Sequence, residues 1–134
     1  MNIPILLTLC SLLMPASVLA GTVLYTDAQH PPTHIDASVS VIYLDGPEQQ
    51  QAQLFGELSS NPDEAERQAQ AVLQSPQWQA REQALATAYR AVVRAWELGV
   101  KKVPAVVFDD KDVVYGTADV ARAVALRAQA SGGQ

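Results

Sequence analysis

Cysteine is nearly absent from this chain of 134 residues, because Cys10 is its only example. Thiol-disulfide exchange needs a thiolate and a second cysteine that resolves the mixed disulfide, so the chain alone cannot carry out that chemistry. Histidine is almost as scarce, and its two copies, His30 and His34, lie in one short proline-rich segment. The sequence therefore offers few side chains for redox, metal or nucleophilic chemistry.

An excess of positive charge is also missing. Nine lysines and arginines stand against fourteen aspartates and glutamates, which gives a formal net charge of -5. Broad nucleic-acid binding depends on a basic footprint, so this balance argues against it. The sequence contains no phosphate-binding glycine loop, dinucleotide fingerprint or nucleophile elbow. After residue 20 it has no second long apolar run, which predicts a soluble mature chain without membrane contact.

The one long apolar run lies at the amino end, from Ile3 to Met14, and small and polar residues follow it up to Ala20. This pattern predicts a Sec-type signal peptide over residues 1–20, cleaved after Ala20. The run is shorter than the about 20 apolar residues that span a membrane, but a retained anchor stays open because only the amino terminus supplies positive charge. Cleavage would deliver residues 21–134 to the periplasm without a cysteine for disulfides.

Residues 21–130 are predicted to form one α/β domain, because strand-like and helix-like patterns alternate along them. The predicted strands cover residues 22–25, 39–44, 103–108 and 113–115, and the aspartate-rich residues 109–112 join the last two. Four helices are predicted: the first covers 48–58, the second starts at Pro62 with Asn61 as its cap, and the third runs from Ser75-Pro76 to about Leu98. The fourth is capped by Thr117, and its Val120, Ala123 and Val124 are expected to face inward. Residues 131–134 are predicted to be a disordered tail.

The longest predicted helix carries large apolar side chains on one stripe. These residues are Trp78, Leu85, Tyr89, Val92, Val93 and Trp96. The periodicity favours a buried core face, with a ligand platform as the alternative. On the opposite side Arg90 and Arg94 lie one turn apart, and Lys101 and Lys102 follow the helix. These four cations are either a solvated face that suits the helix dipole or a basic contact patch.

Three segments carry a resemblance to a known family. They are Ala-Trp-Glu-Leu-Gly at 95–99, Val-Pro-Ala-Val-Val-Phe-Asp at 103–109 and Val-Val-Tyr-Gly-Thr-Ala-Asp-Val at 113–120. The chain resembles a family of small exported proteins of integrating conjugative elements, encoded among the genes for conjugative type IV secretion and mating-pair formation. It is also similar to the thioredoxin-like pilin-assembly protein of F-type systems. The resemblance implies a thioredoxin-like sandwich with a mixed four-stranded sheet and helices, lacking the CxxC motif.

The resemblance also implies a binding groove. In thioredoxin-like proteins a proline that matches Pro104 takes the cis form and faces the loop after the first strand, which here is Asp27 to Pro32. Such domains hold extended peptides in this groove by backbone pairing. The expected groove residues are Asp27, His30, Pro31, Val103, Pro104 and Ala105. The expected function is that of a non-enzymatic periplasmic component, without catalytic residues, metal or cofactor, which binds other conjugative transfer or pilus-assembly proteins.

One departure from the thioredoxin plan lies between the first two strands. Only about a dozen residues join them, which is near the minimum for a parallel crossover, and two of these residues are prolines. The first helix of the usual fold is therefore expected to be shortened to a turn, or this strand pair is arranged differently.

Two other functions stay open at this point. The first is a periplasmic metal-binding protein or hydrolase centred on His30 and His34, because Asp27 and Asp36 supply further ligands nearby. The two histidines are separated by two prolines, so they cannot use helical i, i+4 geometry. The second is a thioredoxin-like holdase unrelated to transfer.

Overall fold

A computed structural model describes residues 21–133, and the predicted signal peptide lies outside them. The described part contains strands β1 (Thr22–Thr26), β2 (Val39–Tyr43), β3 (Ala105–Phe108) and β4 (Asp112–Tyr115) and helices α1 (Gly46–Phe55), α2 (Pro62–Leu73), α3 (Trp78–Glu97) and α4 (Val120–Ser131). Each of these elements overlaps a segment that the sequence predicts with the same secondary structure. Among the described residues, no helix combines the length and apolarity needed to cross a membrane.

The four strands form one mixed sheet in the order β2-β1-β3-β4. Strands β1 and β2 are parallel, whereas β3 is antiparallel to both β1 and β4. Every residue of β3 is buried, as expected for an apolar central strand covered on both faces. The structure confirms an α/β domain with a mixed four-stranded sheet and four helices in the described residues.

Helices cover both faces of this sheet and create two cores. Since successive side chains of a strand point to opposite faces, Leu24 and Tyr25 belong to different cores. Leu24 packs with α4 through Val120 and Ala123. Tyr25 packs on the other face in a cluster that includes Ala95 of α3.

Local signals at the helix starts are confirmed for α2 and wrong for α3. Asn61 accepts hydrogen bonds from the backbone N–H groups of Asp63 and Glu64, so it caps α2 as predicted. Helix α3 begins at Trp78 rather than at Ser75-Pro76. The Trp78 amide donates to the Ser75 carbonyl at 3.1 Å, while the Ser75 hydroxyl is buried without a partner among the described residues. A backbone turn therefore replaces the expected side-chain cap.

The last helix is capped by Asp119 instead of Thr117. The Asp119 Oδ1 accepts from the Arg122 amide at 3.1 Å, and the Thr117 hydroxyl accepts from the Asp119 amide at 3.0 Å. The predicted inward positions are confirmed for Val120 and Ala123, whereas Val124 is 51% exposed and that assignment is wrong. Helix α4 also includes Ser131, the first residue of the predicted tail.

Only part of the predicted apolar stripe of α3 packs against the domain: Trp78, Leu85 and Val92 are half-buried, whereas the other three members are exposed. Trp96 is 83% exposed, Val93 is 56% exposed and Tyr89 is 46% exposed, whereas Ala95 is almost fully buried. A Cβ atom added to Gly46 would lie 3.8 Å from the Ala88 Cβ, so the start of α1 approaches α3 closely through small side chains. The helix is therefore rotated by roughly a quarter turn from the predicted orientation, because its alanines allow close packing. The core interpretation of the stripe is wrong for these three large residues.

Trp96→Ala tests this orientation directly. We expect the free energy of unfolding to change by no more than about 0.5 kcal/mol, because an exposed side chain loses little contact when it is truncated. A tryptophan in the core would cost about 3–5 kcal/mol instead. Urea denaturation of wild type and Trp96→Ala measures the change in the free energy of unfolding. Trp78→Ala, which truncates a half-buried tryptophan of the same helix, serves as the comparison.

Candidate functional site

The residues predicted to form the groove lie where β1 ends and β3 begins. The antiparallel register pairs Tyr25 with Ala105, and one further step sets Thr26 opposite Pro104. Pro104 and Ala105 are buried and the Val103-Pro104 peptide bond is cis. The Pro104 carbonyl accepts from the Gly116 amide at 3.0 Å. Within residues 21–133 the backbone N–H and C=O of half-buried Val103 have no hydrogen-bond partner.

The loop after β1 is organised around the carboxylate of Asp27. Its Oδ1 accepts from the amides of Gln29 at 3.1 Å and His30 at 3.0 Å, and it lies 2.6 Å from the His30 Nδ1. The hydrogen bond with the His30 ring is the largest cause that lowers the pKa of Asp27. The Thr26 hydroxyl donates to the His30 carbonyl at 2.6 Å. The backbone is thus held in a turn that leaves His30 and Pro31 exposed at its tip.

Asp45 connects the same loop to the start of α1. Its Oδ2 accepts from the Ala28 amide at 3.0 Å and from the Gln49 side chain at 2.7 Å. Its Oδ1 is buried and has no partner among the described residues. Sequence reasoning missed this role because Asp45 and Ala28 lie far apart along the chain. An aspartate directly before a helix with proline in its first turn was the available signal.

The second half of the connection between β1 and β2 is attached to α4. Thr33 forms a parallel bridge with Asp119, in which the Thr33 amide donates to the Ala118 carbonyl at 3.1 Å. The His34 Nδ1 lies 2.9 Å from the Asp119 Oδ2. The Arg122 N–H is the largest cause that lowers the pKa of Asp119, and the His34 ring lowers it further. Residues between β1 and β2 contain no helix, in agreement with the shortened crossover.

The two histidines do not assemble into a metal centre in the described part of the chain. The His30 ring is hydrogen-bonded to the carboxylate of Asp27, and the His34 ring is hydrogen-bonded to the carboxylate of Asp119. Asp36 uses its carboxylate in a local turn, where it accepts from the Ser38 amide at 2.7 Å. Among residues 21–133, no three histidine, cysteine or acidic side chains come together as a metal site. The arrangement therefore gives the metal-binding alternative no geometric support.

The four cations of the predicted basic patch have different surroundings. Arg94 lies 3.1 Å from the carboxylate of Asp110 and 3.5 Å from that of Glu97, so its charge is compensated. Lys102 lies 5.4 Å from the centre of the Tyr115 ring. Arg90 donates to the Thr87 hydroxyl at 3.1 Å. Neither Arg90 nor Lys101 forms an ion pair with another described residue.

Arg127, which the sequence did not single out, neutralises the aspartate-rich turn between β3 and β4. Its guanidinium lies 2.8 Å from the Asp112 carboxylate and 3.3 Å from that of Asp109, and it stacks 4.7 Å from the centre of the Phe108 ring. The hydrogen bond with Asp112 is the largest cause that raises the pKa of Arg127. The residues 109–112 thus form a compensated turn rather than a cation site.

Asp119→Asn isolates the charge of Asp119. An asparagine can still cap α4 but lacks the negative charge that faces His34. Because the pKa of Asp119 is lowered from its ordinary value of 3.8, its charge stabilises the fold above that pH and ceases to do so as pH falls through the folded value. Urea midpoints measured from neutral pH down into acid should show a wild-type advantage that is constant well above pH 3.8 and shrinks as the pH falls below 3.8. A difference that is constant across this range would contradict the assignment.

Comparison with known proteins gives one result. No curated protein and no solved structure matches the chain significantly. A family model described as "Protein of unknown function (DUF1525)" matches residues 19–130, which include all the strands and nearly all of the helical residues described above. The chain therefore belongs to the DUF1525 family.

Proposed function

We propose that this protein is a non-enzymatic binding component of the conjugative type IV secretion (mating-pair formation) system of an integrating conjugative element. In this proposal it is exported to the periplasm after cleavage at Ala20 and binds another transfer or pilus-assembly protein. The resemblance of residues 95–99, 103–109 and 113–120 supports the process. These residues occupy the end of α3, β3 and β4, and the last of them starts α4.

A redox-inactive thioredoxin-like scaffold is the proposed fold. The strand order β2-β1-β3-β4, with one parallel and two antiparallel pairs, is compatible with it. The cis peptide bond at Pro104 also agrees with the resemblance. Residues 21–134 contain no cysteine, so the scaffold cannot perform thiol-disulfide exchange.

The observation that carries the binding proposal is the free backbone at Val103. Its N–H and C=O have no hydrogen-bond partner in residues 21–133, and it lies one residue before the proline set opposite the end of β1. An extended peptide can satisfy such groups by main-chain pairing, while the exposed His30 and Pro31 offer side-chain contacts. We infer that a partner's extended segment binds between Val103 and the loop from Asp27 to Pro32.

Deletion of the gene in a donor strain tests this function. The transfer frequency of the element should fall strongly and should return when the wild-type gene is supplied in trans. Two controls detect a general envelope defect: the growth of the donor, and the transfer of an unrelated conjugative plasmid from the same donor strain. Unchanged transfer of the element in the deletion strain would contradict a required role in conjugation.

A further inference from the structure

The exposed side of α3 carries a row of large apolar side chains. Tyr89, Val93 and Trp96 follow the i, i+4, i+7 spacing, so they lie next to one another on the helix surface. All three are exposed, and Trp96 exposes 83% of its surface. An isolated exposed apolar residue needs no explanation, but a contiguous row that ends in a tryptophan is typical of a contact surface.

A shallow, open cleft lies beside Trp96 at the end of this row. It has a volume of ≈ 400 Å³ and is lined by Trp96, Gly99, Val100 and Lys101. Gly99 has a φ of 75°, which lets the chain leave α3 sharply and keeps a side chain out of the cleft. The concave shape next to an indole ring suits one apolar side chain of a partner.

Positive charge borders the row and the cleft. Arg90, which the periodicity placed on the opposite side of α3, is the i, i+3 neighbour of Val93 and therefore borders the row, and Lys101 lines the cleft itself. Neither cation is paired with an acidic side chain of residues 21–133, whereas Arg94 is compensated by Asp110 and Glu97. Four cations, Arg90, Arg94, Lys101 and Lys102, thus stand against two acids, Asp110 and the exposed Glu97, so the net charge here is positive in a chain whose net charge is -5.

We propose that Tyr89, Arg90, Val93, Trp96 and Lys101, here called the Trp96 surface, bind an acidic segment of a partner protein. An apolar side chain of that segment enters the cleft beside Trp96, and its carboxylates pair with Arg90 and Lys101. Charge complementarity and the concave cleft carry this choice of occupant. The Trp96 surface is separate from the groove at Val103, and the proposal holds whether or not the protein acts in conjugation.

Charge also argues against a second copy of the chain on this surface. In a two-fold dimer the same patch meets itself, so the cations of one protomer would face those of the other. Like charges across an interface cost affinity, and an acidic partner avoids this cost. A lipid bilayer with anionic headgroups is the other acidic surface, and the vesicle comparison below distinguishes it from an acidic protein segment.

Selection of a random peptide library displayed on phage against residues 21–134 tests the proposal. Selected peptides should carry a net negative charge and a large apolar residue. Trp96→Ala should weaken their binding by roughly thirtyfold or more, and Arg90→Glu and Lys101→Glu should weaken it in a salt-dependent manner. Val124→Ala and Arg122→Glu, which change exposed residues of α4 on the opposite sheet face, should leave the affinity unchanged.

Four outcomes would overturn the proposal. These are the enrichment of no peptides, the enrichment of neutral or basic peptides, equal binding of the selected peptides to Trp96→Ala, and concentration-dependent dimerisation through Trp96 without peptide binding. Vesicles of phosphatidylglycerol and phosphatidylcholine provide the lipid comparison. Binding to these vesicles that needs Trp96 and Lys101, in the absence of acidic peptide binding, would replace the protein partner by a membrane surface.

Discussion

Donor cells whose only copy of the gene carries Val103→Glu are expected to transfer the element as poorly as the deletion strain. Val103 is half-buried and directly precedes Pro104 at the proposed groove. A carboxylate there would hold water that an extended partner must displace before it can pair with the Val103 backbone. Binding would then leave a desolvated charge without a partner, which is costly. We expect the affinity for the partner to fall by roughly thirtyfold or more, as for other central interface positions.

Two further variants separate loss of binding from loss of folding. Pro31→Glu introduces the same charge from the exposed loop on the other side of the groove and should also lower transfer. Val124→Glu places the charge on α4, on the opposite face of the sheet, and should transfer like wild type. Periplasmic level and melting temperature are measured for all three. Normal transfer by Val103→Glu and Pro31→Glu, with normal protein levels, would discard the groove while leaving a role in transfer open.

The elements that follow local signals were predictable from the sequence. Strand β3 is a short run of β-branched and apolar residues that is buried on both faces, and its length and its valines favour a central strand over a buried helix. Helix α2 is marked by Asn61 and Pro62, whose hydrogen bonds and fixed φ act within the first turn. In both cases the information lies within a few residues of the structure it determines.

The orientation of α3 was not predictable in this way. A hydrophobic stripe predicts the buried face when apolar area decides the packing, but here Ala88 and Ala95 lie on the side that approaches α1 and the sheet. Small side chains bring backbones close together, and that gain in contact outweighs the exposure of Trp96. Sequence periodicity measures hydrophobicity and does not measure how closely two elements can approach.

The contacts of the candidate site were also beyond the sequence. The bonds from Ala28 to Asp45 and from His34 to Asp119 join residues that are 17 and 85 positions apart. The sequence identified His30, His34 and Asp27 as chemically notable. Which carboxylate each histidine contacts, Asp27 for His30 and Asp119 for His34, depends on how the loop is held against α1 and α4. Resemblance supplied the groove, because no local pattern links Val103 to a loop near residue 30.

Leu24→Ala is expected to give the largest loss of stability of the substitutions considered. Leu24 is fully buried in the core shared by β1, β3 and α4, where it packs with Val106, Phe108 and Val120. Truncation removes buried methyl groups and leaves a cavity, which costs about 2–5 kcal/mol. A domain of this size has a total stability of about 5–15 kcal/mol, so the variant should populate unfolded states under mild stress.

Urea denaturation measures this loss, with Leu73→Ala as the matched control. The control removes the same atoms from a side chain that is 50% exposed on α2, so its free energy of unfolding should change by no more than about 0.5 kcal/mol. The Leu24→Ala midpoint should fall by roughly 1–3 M urea. Because Leu24 lies two residues before Thr26 in β1, the variant should also loosen the loop that β1 positions. A loss for Leu24→Ala no larger than that of the control would show that the face of the sheet covered by α4 is not a packed core.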